Sequence, residues 1–318
     1  MTEESEEKLE AFFGAWADGA RPVLLLDYDG TLAGFRLDRY QAKPWAGVRE
    51  LLTRIQAQGR AGSKTRLVVI TGRPAGEIAP LLRLPKPFEV WGLHGAERLY
   101  LDGRRELELA PPATQERLEE LKASLRRDAL GGLFEDKANG AVMHWRGLAA
   151  RQKVLVEKRT RALFEPMAKL DGLALQDFEA GLELRAGRNK GGAVEAIVTE
   201  MRAAGKNPGP VAYLGDDLTD EEAFKAVNAL DGTHLSVLVR RKWRETAADV
   251  WVRPPGDVVR FLQRWEKAGE CREQGIGNRE QPKNAYGPDW PSGNLSDDQA
   301  ARGLILGRFL CDSIHRSC

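Results

Sequence analysis

Two carboxylates spaced two residues apart follow an apolar run in Val23-Leu24-Leu25-Leu26-Asp27-Tyr28-Asp29-Gly30-Thr31-Leu32. If the chain stays extended, Asp27 and Asp29 project to the same side. Like charges at the end of a buried strand are costly unless a cation neutralises them, so a metal site is the first expectation. An ordinary strand-end turn, where Asp and Gly are common, is the alternative. Three further polar groups stand in comparable places: Thr71 and Arg73 after Arg66–Ile70, Lys190 at the opening of a helix, and Asp216 and Asp217 after Val211–Leu214. Carboxylates, one lysine and one small hydroxyl suit phosphoryl transfer with a hard cation. Mg²⁺ takes oxygen ligands and shares its shell with substrate phosphate, and a lysine offsets charge on the transferred group.

These groups converge only if the intervening chain builds a parallel sheet. Val23–Leu26, with four consecutive apolar residues, reads as a strand buried on both faces. Residues 5–17 read as a short amphipathic helix. Pro44 is expected to open a second helix bearing Val48, Leu51, Leu52 and Ile55, closed by Gly59 and Gly62. Arg66–Ile70 and Glu89–Gly95 read as the next strands. Strand alternating with helix implies right-handed crossovers. Pro111-Pro112 interrupts this rhythm. From 113 to 170, one helix carries Leu118, Leu121 and Leu125 and another Val154, Leu155, Leu163 and Met167, with a strand over Ala138–Arg146 between them. A hairpin over Leu173–Leu175 and Gly181–Arg185 follows. The parallel rhythm resumes at Asn189-Lys190-Gly191-Gly192, with a helix carrying Val194, Ile197, Val198 and Met201. Strands at Val211–Leu214, Leu235–Val239 and Val250–Val252 come next, and Asp257 is the expected N-cap of a closing helix to about Lys267. The expected fold is α/β, a doubly wound, Rossmann-like parallel-sheet hydrolase core with an inserted α/β cap. Residues 1–108 and 186–267 form the core, 109–185 the cap, and 268–318 a polar tail, disordered or loosely docked, with a short helix near Leu304–Leu310. In such a sheet the carboxyl ends of the strands form one crevice, and the four sets of polar groups meet there.

Composition narrows the class. In 318 residues, 48 basic side chains nearly balance 47 acidic ones, for a net charge of +1, which gives no sign of a nucleic-acid surface. No apolar run approaches a membrane span. Cys271, Cys311 and Cys318 all lie in the last fifty residues, so no disulfide framework supports the body of the chain. The acidic start, Met1 to Glu7, is unlike a secretory signal. A cytoplasmic location is the default, with about twenty residues before the first strand and no further domain expected there.

Asp27-Tyr28-Asp29-Gly30-Thr31, Thr71 after its strand, Lys190 before its helix and Gly215-Asp216-Asp217 resemble the four ordered motifs of the haloacid dehalogenase superfamily of phosphatases. The resemblance implies that Asp27 attacks phosphorus to form an aspartyl-phosphate and that Asp29 is the acid/base. It implies that Thr71 bonds the phosphoryl oxygens and that Lys190 pairs with nucleophile and phosphate. Mg²⁺ would be held by Asp27, the backbone carbonyl of Asp29, and Asp216, with Asp217 or Asp220 as a further ligand or outer partner.

Gly92-Leu93-His94-Gly95-Ala96-Glu97, Glu135-Asp136-Lys137, His144-Trp145-Arg146, Glu183-Leu184-Arg185 and the run Gly215 to Phe224 together resemble the trehalose-6-phosphate phosphatases. The resemblance spans roughly 20 to 265 and implies a cap that closes over the sugar. Substrate contacts are implied at Arg73, His94, Glu97, Glu135, Lys137, Arg146, Glu183 and Arg185. Thr71 stands where Ser is more frequent, Trp145 where Tyr is usual, Ala186 where Pro commonly follows, and Asn189 where Asp is frequent. The implied partner is a small-molecule sugar phosphate handled by a monomer, with no nucleic acid and no membrane. A phosphatase for another sugar phosphate, sucrose phosphate or a mannosyl derivative, would share this core, and a silent phospho-sugar sensor would not need all four catalytic groups.

Overall fold

The computed structural model describes residues 3–16, 21–36, 38–58, 64–127, 131–179, 181–206 and 208–277. In chain order the elements are α1 (Glu3–Gly14), β1 (Arg21–Leu26), α2 (Val48–Ala57), β2 (Arg66–Ile70), α3 (Ile78–Leu82), β3 (Glu89–Gly92), β4 (Glu97–Leu99), β5 (Arg105–Leu107), α4 (Pro112–Arg127), β6 (Phe134–Lys137), β7 (Gly140–His144), α5 (Ala150–Met167), β8 (Leu173–Phe178), β9 (Gly181–Ala186), α6 (Lys190–Ala203), β10 (Pro208–Gly215), α7 (Glu221–Asn228), β11 (His234–Val239), β12 (Val250–Val252) and α8 (Gly256–Gly277).

The larger sheet runs β12-β11-β10-β1-β2-β3-β4-β5. It is parallel from β12 to β3, and β4 and β5 add antiparallel at one edge. β1 lies at its centre, between β10 and β2. Val23 and Leu25 pack with Val194, Ile197 and Phe224 of α6 and α7 on one face. Leu24 and Leu26 pack with Leu9, Leu52, Phe261 and Trp265 of α1, α2 and α8 on the other. Two-sided burial is why this strand reads as an unbroken apolar run.

The smaller sheet, β6-β7-β9-β8, is antiparallel and carries α4 and α5 on one face. Ala141, Met143, Leu182 and Leu184 point to those helices and pack with Leu118, Leu125 and Phe164. The intervening positions Val142 and Glu183 therefore face away from the helices, and Glu135, Val142 and Glu183 lie side by side across three strands. This is the cap.

Several local expectations need correcting. Pro44 sits in a β-bridge with Ala33, and α2 starts four residues later, after Gly47, because the intervening segment is drawn back to the Asp27 turn. Gly59 and Gly62 lie outside the described residues, and α2 ends at Ala57. β3 stops at Gly92, since Leu93 and His94 take positive φ of 48° and 58°. On α5 the inward stripe is Val156, Thr160 and Phe164, whereas Val154, Leu155 and Leu163 are exposed. Thr160 satisfies its hydroxyl on the Val156 carbonyl at 2.8 Å, so a polar residue is at home inside and composition picked the wrong face. Asp257 is in the first turn of α8 and accepts the Arg253 amide at 2.8 Å. That helix continues to Gly277, ten residues beyond the expected end, because Ala268, Glu270, Arg272, Glu273 and Gln274 are good helix formers. The rest of the expected tail, including Leu304–Leu310, lies outside the described residues. Among the described residues no helix is long and apolar enough to cross a membrane.

Candidate active site

The Asp27 turn is held by its own backbone. The Asp27 amide donates to the Leu214 carbonyl at 2.9 Å, tying β1 to β10, and the amides of Leu32 and Ala33 both return to the Tyr28 carbonyl. The Tyr28 hydroxyl donates to the Ala42 carbonyl at 2.6 Å. Gly30 has φ of +86°, and a methyl group on it would overlap the Asp216 carboxylate. Glycine is needed twice over: for the left-handed turn and for the close approach of the facing acid.

Lys190, the first residue of α6, donates to Asp27 Oδ1 at 2.8 Å and to Asp220 Oδ1 at 2.6 Å, all three side chains being buried. Asn189 caps that helix, its Oδ1 accepting the Gly192 amide at 2.8 Å, so Asn does here what Asp would do. Asp220 also accepts the Tyr213 hydroxyl at 2.5 Å and the amides of Asp216 and Asp217 at 2.9 Å each. Its two oxygens are fully engaged. Asp217 caps the next turn, accepting the Leu218 amide at 2.7 Å. The Asp216 carboxylate has no hydrogen-bond donor among the described residues, and it faces Asp27.

Charge is out of balance here. Burial raises Asp27 to about 7 against the pull of Lys190. Burial, then repulsion from Asp27 and Asp220, raises Asp216 well above the usual carboxylate range. Burial acts to lower Lys190, but Asp220 and Asp27 outweigh it and raise it. Asp220 is lowered: burial opposes ionisation, and Lys190, Tyr213 and the amide donors prevail. Asp27, Asp216 and Asp220 each offer an oxygen within 4.8 Å of the others. Three buried carboxylates against one lysine, all hard oxygen donors, fit a divalent cation such as Mg²⁺. Asp27 and Asp216 have capacity for it. Asp220 is already spent on Lys190, Tyr213 and two amides, which makes it the group that orients the others. The Asp29 side chain lies apart from this cluster, gripped by Arg73 through Nε at 2.5 Å and Nη2 at 2.7 Å.

A cavity of about 580 Å³ opens above these groups, lined from below by Asp27, Asp29, Thr71, Lys190 and Asp216 and from above by cap residues. Lys137 donates to Glu183 Oε1 at 3.0 Å and to the Gly72 carbonyl at 3.2 Å. His94 Nε2 meets Glu183 Oε2 at 3.0 Å. Burial outweighs the pull of Glu183 and lowers His94 to about 4. His94 keeps its positive φ because its amide donates to the Thr71 carbonyl at 2.8 Å. Thr71 is buried, and its Oγ1 accepts the Arg73 amide at 3.3 Å. Glu135 accepts His144 Nε2 and Arg39 Nη1, both at 2.8 Å. Burial opposes its ionisation, but His144, Lys137 and Arg39 hold it at about 2. Arg146 is exposed, its guanidinium 4.5 Å from the Phe35 ring centre.

Two expected substrate contacts do not reach the cavity. Glu97 is fully buried, accepts the Ala75 amide at 2.8 Å and pairs with Arg105, bracing the Thr71 loop from behind. Arg185 is buried at the other end of β9 and donates to the Arg188 carbonyl at 2.8 Å, where the cap returns to the core. Arg73 lines the cavity, but Asp29, Glu77 and the Arg39 carbonyl take up its guanidinium. Phe35, Arg36 and Arg39 line it without having been singled out, as do Phe178 and Thr219. The first three sit on an irregular loop just after the Asp27 turn, where no periodicity marks them. Their position in sequence beside the turn was the available signal.

A family model described as trehalose-phosphatase matches residues 25–250. The chain belongs to the trehalose-phosphatase family. Among its trehalose-phosphatase relatives, the trehalose-phosphate phosphatase of Mycobacterium marinum is 30% identical over 255 residues, covering 77% of this chain and 61% of that protein. The probable trehalose-phosphate phosphatase of Sinorhizobium fredii is 34% identical over 216 residues, covering 68% of this chain and 77% of that one. The chain thus spans about three fifths of the mycobacterial relative's length. A solved structure of the C. albicans trehalose-6-phosphate phosphatase C-terminal domain matches with a TM-score of 0.69 at 20% identity, over 84% of this chain and 98% of that one. At that identity the likeness speaks to the fold alone: an α/β core with a cap.

Proposed function

We propose that the protein is a Mg²⁺-dependent phosphatase that hydrolyses trehalose 6-phosphate to trehalose and phosphate through an aspartyl-phosphate. The observation that carries this reading is the buried Asp27–Lys190–Asp220 cluster facing Asp216 at the floor of a cavity roofed by charged cap residues. Family membership supports the choice of sugar.

An Asp27 oxygen forms a bond to phosphorus as the bond from phosphorus to the sugar oxygen breaks, and Asp29 gives that oxygen its proton. Arg73 takes one lone pair on each Asp29 oxygen, which leaves the other lone pair of either oxygen for the proton. Water then adds to phosphorus, Asp29 takes its proton, and the bond to Asp27 breaks to free phosphate. Lys190 keeps negative charge on Asp27 tolerable in a buried site, and the Thr71 hydroxyl lines the space where phosphoryl oxygens would lie, its amide being held by the Trp91 carbonyl at 2.8 Å. Asp27, Asp216 and the Asp29 backbone carbonyl would hold Mg²⁺, which when bound offsets charge on the carboxylates and the phosphoryl group. Residues 109–185 act as the sugar-reading cap, with Arg146, Lys137, Glu135 and Glu183 offering charged hydrogen-bonding groups. Closure keeps stray water from the phosphoenzyme. Work in the cytoplasm suits this chemistry and a chain whose cysteines all fall in its last fifty residues.

The test is phosphate release with Mg²⁺ from a panel of sugar phosphates. Trehalose 6-phosphate should show the highest kcat/KM, and preference for another sugar phosphate would replace the substrate while leaving the chemistry.

A further inference from the structure

Several contacts between cap and core fall on the loops that carry the catalytic groups. Phe35 and Arg39, just beyond the Asp27 turn, meet Arg146 and Glu135; Gly72 and His94 meet Lys137 and Glu183. One of these contacts continues without a break to the acid/base. Arg39 Nη1 holds Glu135 of the cap at 2.8 Å, and its Nη2 holds Glu77 of the core at 3.0 Å. The Arg39 carbonyl accepts Arg73 Nη1 at 2.8 Å, and Glu77 lies 3.5 Å from the same nitrogen. The remaining nitrogens of Arg73 clasp both oxygens of Asp29. Arg39 opens a three-residue turn, Arg39–Gln41, closed by the Asp38 side chain accepting the Tyr40 amide at 3.0 Å. That turn fixes the Arg39 backbone, so one short element carries both the carbonyl that holds Arg73 and the side chain that holds the cap.

We infer that Arg39 is a positioning residue that ties the placement of Asp29 to docking of the cap, by way of Arg73. The inference rests on the phosphatase reading above and adds a role to a residue that touches neither Asp29 nor the reacting atoms. The two joints differ in a useful way. Arg39 and Glu135 are each about a third exposed, with side chains at 35% and 28%, so their pair can break and reform as the cap moves. Arg73 is buried, with its side chain at 7%, and grips Asp29 in the planar fork that a guanidinium and a carboxylate share. With the cap docked, the Arg39 carbonyl and Glu77 hold Arg73 from behind and keep Asp29 aimed at the leaving oxygen. With the cap away, Arg39 loses one of its two anchors, and the Arg73 fork loses its fixed seat. A general acid would then be poorly placed whenever the sugar site is open, which limits hydrolysis to bound, enclosed substrate.

A series of small phosphate monoesters that never reach the cap provides the test, because only poor leaving groups need a proton. Wild-type and variant kcat/KM, which reports formation of the phosphoenzyme, are measured with p-nitrophenyl, phenyl and alkyl phosphates in saturating Mg²⁺. Arg39→Ala and Glu135→Gln should each lose about tenfold or more on phenyl and alkyl phosphate but less than about threefold on p-nitrophenyl phosphate, steepening the leaving-group dependence. Arg39→Lys, which can hold one carboxylate but not two, should fall between. A uniform loss across the series, or no loss, overturns the inference, since a structural or sugar-binding role would not depend on the leaving group. If Arg39→Ala does not fold, Glu135→Gln decides alone. A wild-type protein that releases no phosphate from any of these esters would overturn the phosphatase reading as well, whereas wild-type turnover with parallel slopes overturns only the link through Arg39.

Discussion

Lys190 Nζ stands 2.8 Å from Asp27 Oδ1, although 163 positions separate the two residues in the chain. Both are buried, and the lysine's second partner, Asp220, is itself saturated by Tyr213 and two amides. Lys190→Met should leave Asp27 and Asp220 buried without their counter-charge. Breaking such a pair costs about 3–5 kcal/mol. The expected outcome is a lowered unfolding midpoint as well as lost turnover, read by chemical denaturation. Unchanged stability would mean that water or a cation replaces the ammonium at no cost.

Asp27→Asn preserves shape and removes the charge that attacks phosphorus. Phosphate release should fall by about 10⁴-fold or more, while the circular dichroism spectrum stays that of the parent. Appreciable residual turnover would move the nucleophile elsewhere.

The unbalanced carboxylates give a prediction that is read first in stability. Because burial and like charge disfavour ionised Asp216, metal-free Asp216→Asn should be more stable than the metal-free parent. Mg²⁺ should raise the parent's melting temperature and leave the variant's nearly unchanged, in proportion to differential binding. A chelator should stop phosphate release. Stabilisation of both proteins by the ion alike would place the cation outside the Asp27–Asp216 gap.

Acid should act on the fold in opposed directions: Asp27 and Asp216, raised by burial, favour the folded state as pH falls below about 7, whereas His94 and Glu135 lose stability in two stages. His94 is lowered from 6.5 to about 4 by burial, so below pH 6.5 the unfolded chain takes up its proton before the folded one does. The His94 contribution is therefore full above that pH and declines as pH falls toward 4. At about 1.4 kcal/mol per pH unit the loss is on the order of 3 kcal/mol. Glu135 adds a second decline, beginning below about pH 4.5 and continuing toward 2. In denaturation curves taken against pH, the stability difference between the parent and His94→Gln should change by that amount between pH 6.5 and 4 and stay constant through the Glu135 decline.

Arg146 and Glu183 are not equivalent tests of sugar recognition. Arg146 is exposed over Phe35 and makes no ion pair among the described residues, so Arg146→Ala should cut kcat/KM for trehalose 6-phosphate about tenfold or more and spare p-nitrophenyl phosphate. Glu183 is buried between Lys137 and His94, and Glu183→Ala would strand a buried ammonium. It should lower stability as well as turnover. Equal losses on both substrates in Arg146→Ala would remove that residue from the sugar site.

What the sequence alone determined is what local burial writes into it. Val23–Leu26 had to be a central strand because both its faces are covered, and Gly30 had to follow the acids because only glycine makes that turn. The four motifs were legible because each sits where a buried run meets a polar end. The division of labour among the acids was decided only by tertiary structure. Asp216, Asp217 and Asp220 are three similar letters within five positions, and they part company through Lys190, Tyr213 and the amides that reach only one of them. The same holds for charged residues expected at the sugar. Glu97 and Arg185 turn out to brace loops, while Arg39, on a loop with no periodicity, joins cap to core. Periodicity encodes which face is buried, but a hydrogen-bond partner dozens of residues away leaves no mark on the local pattern. Only the packed chain chooses it.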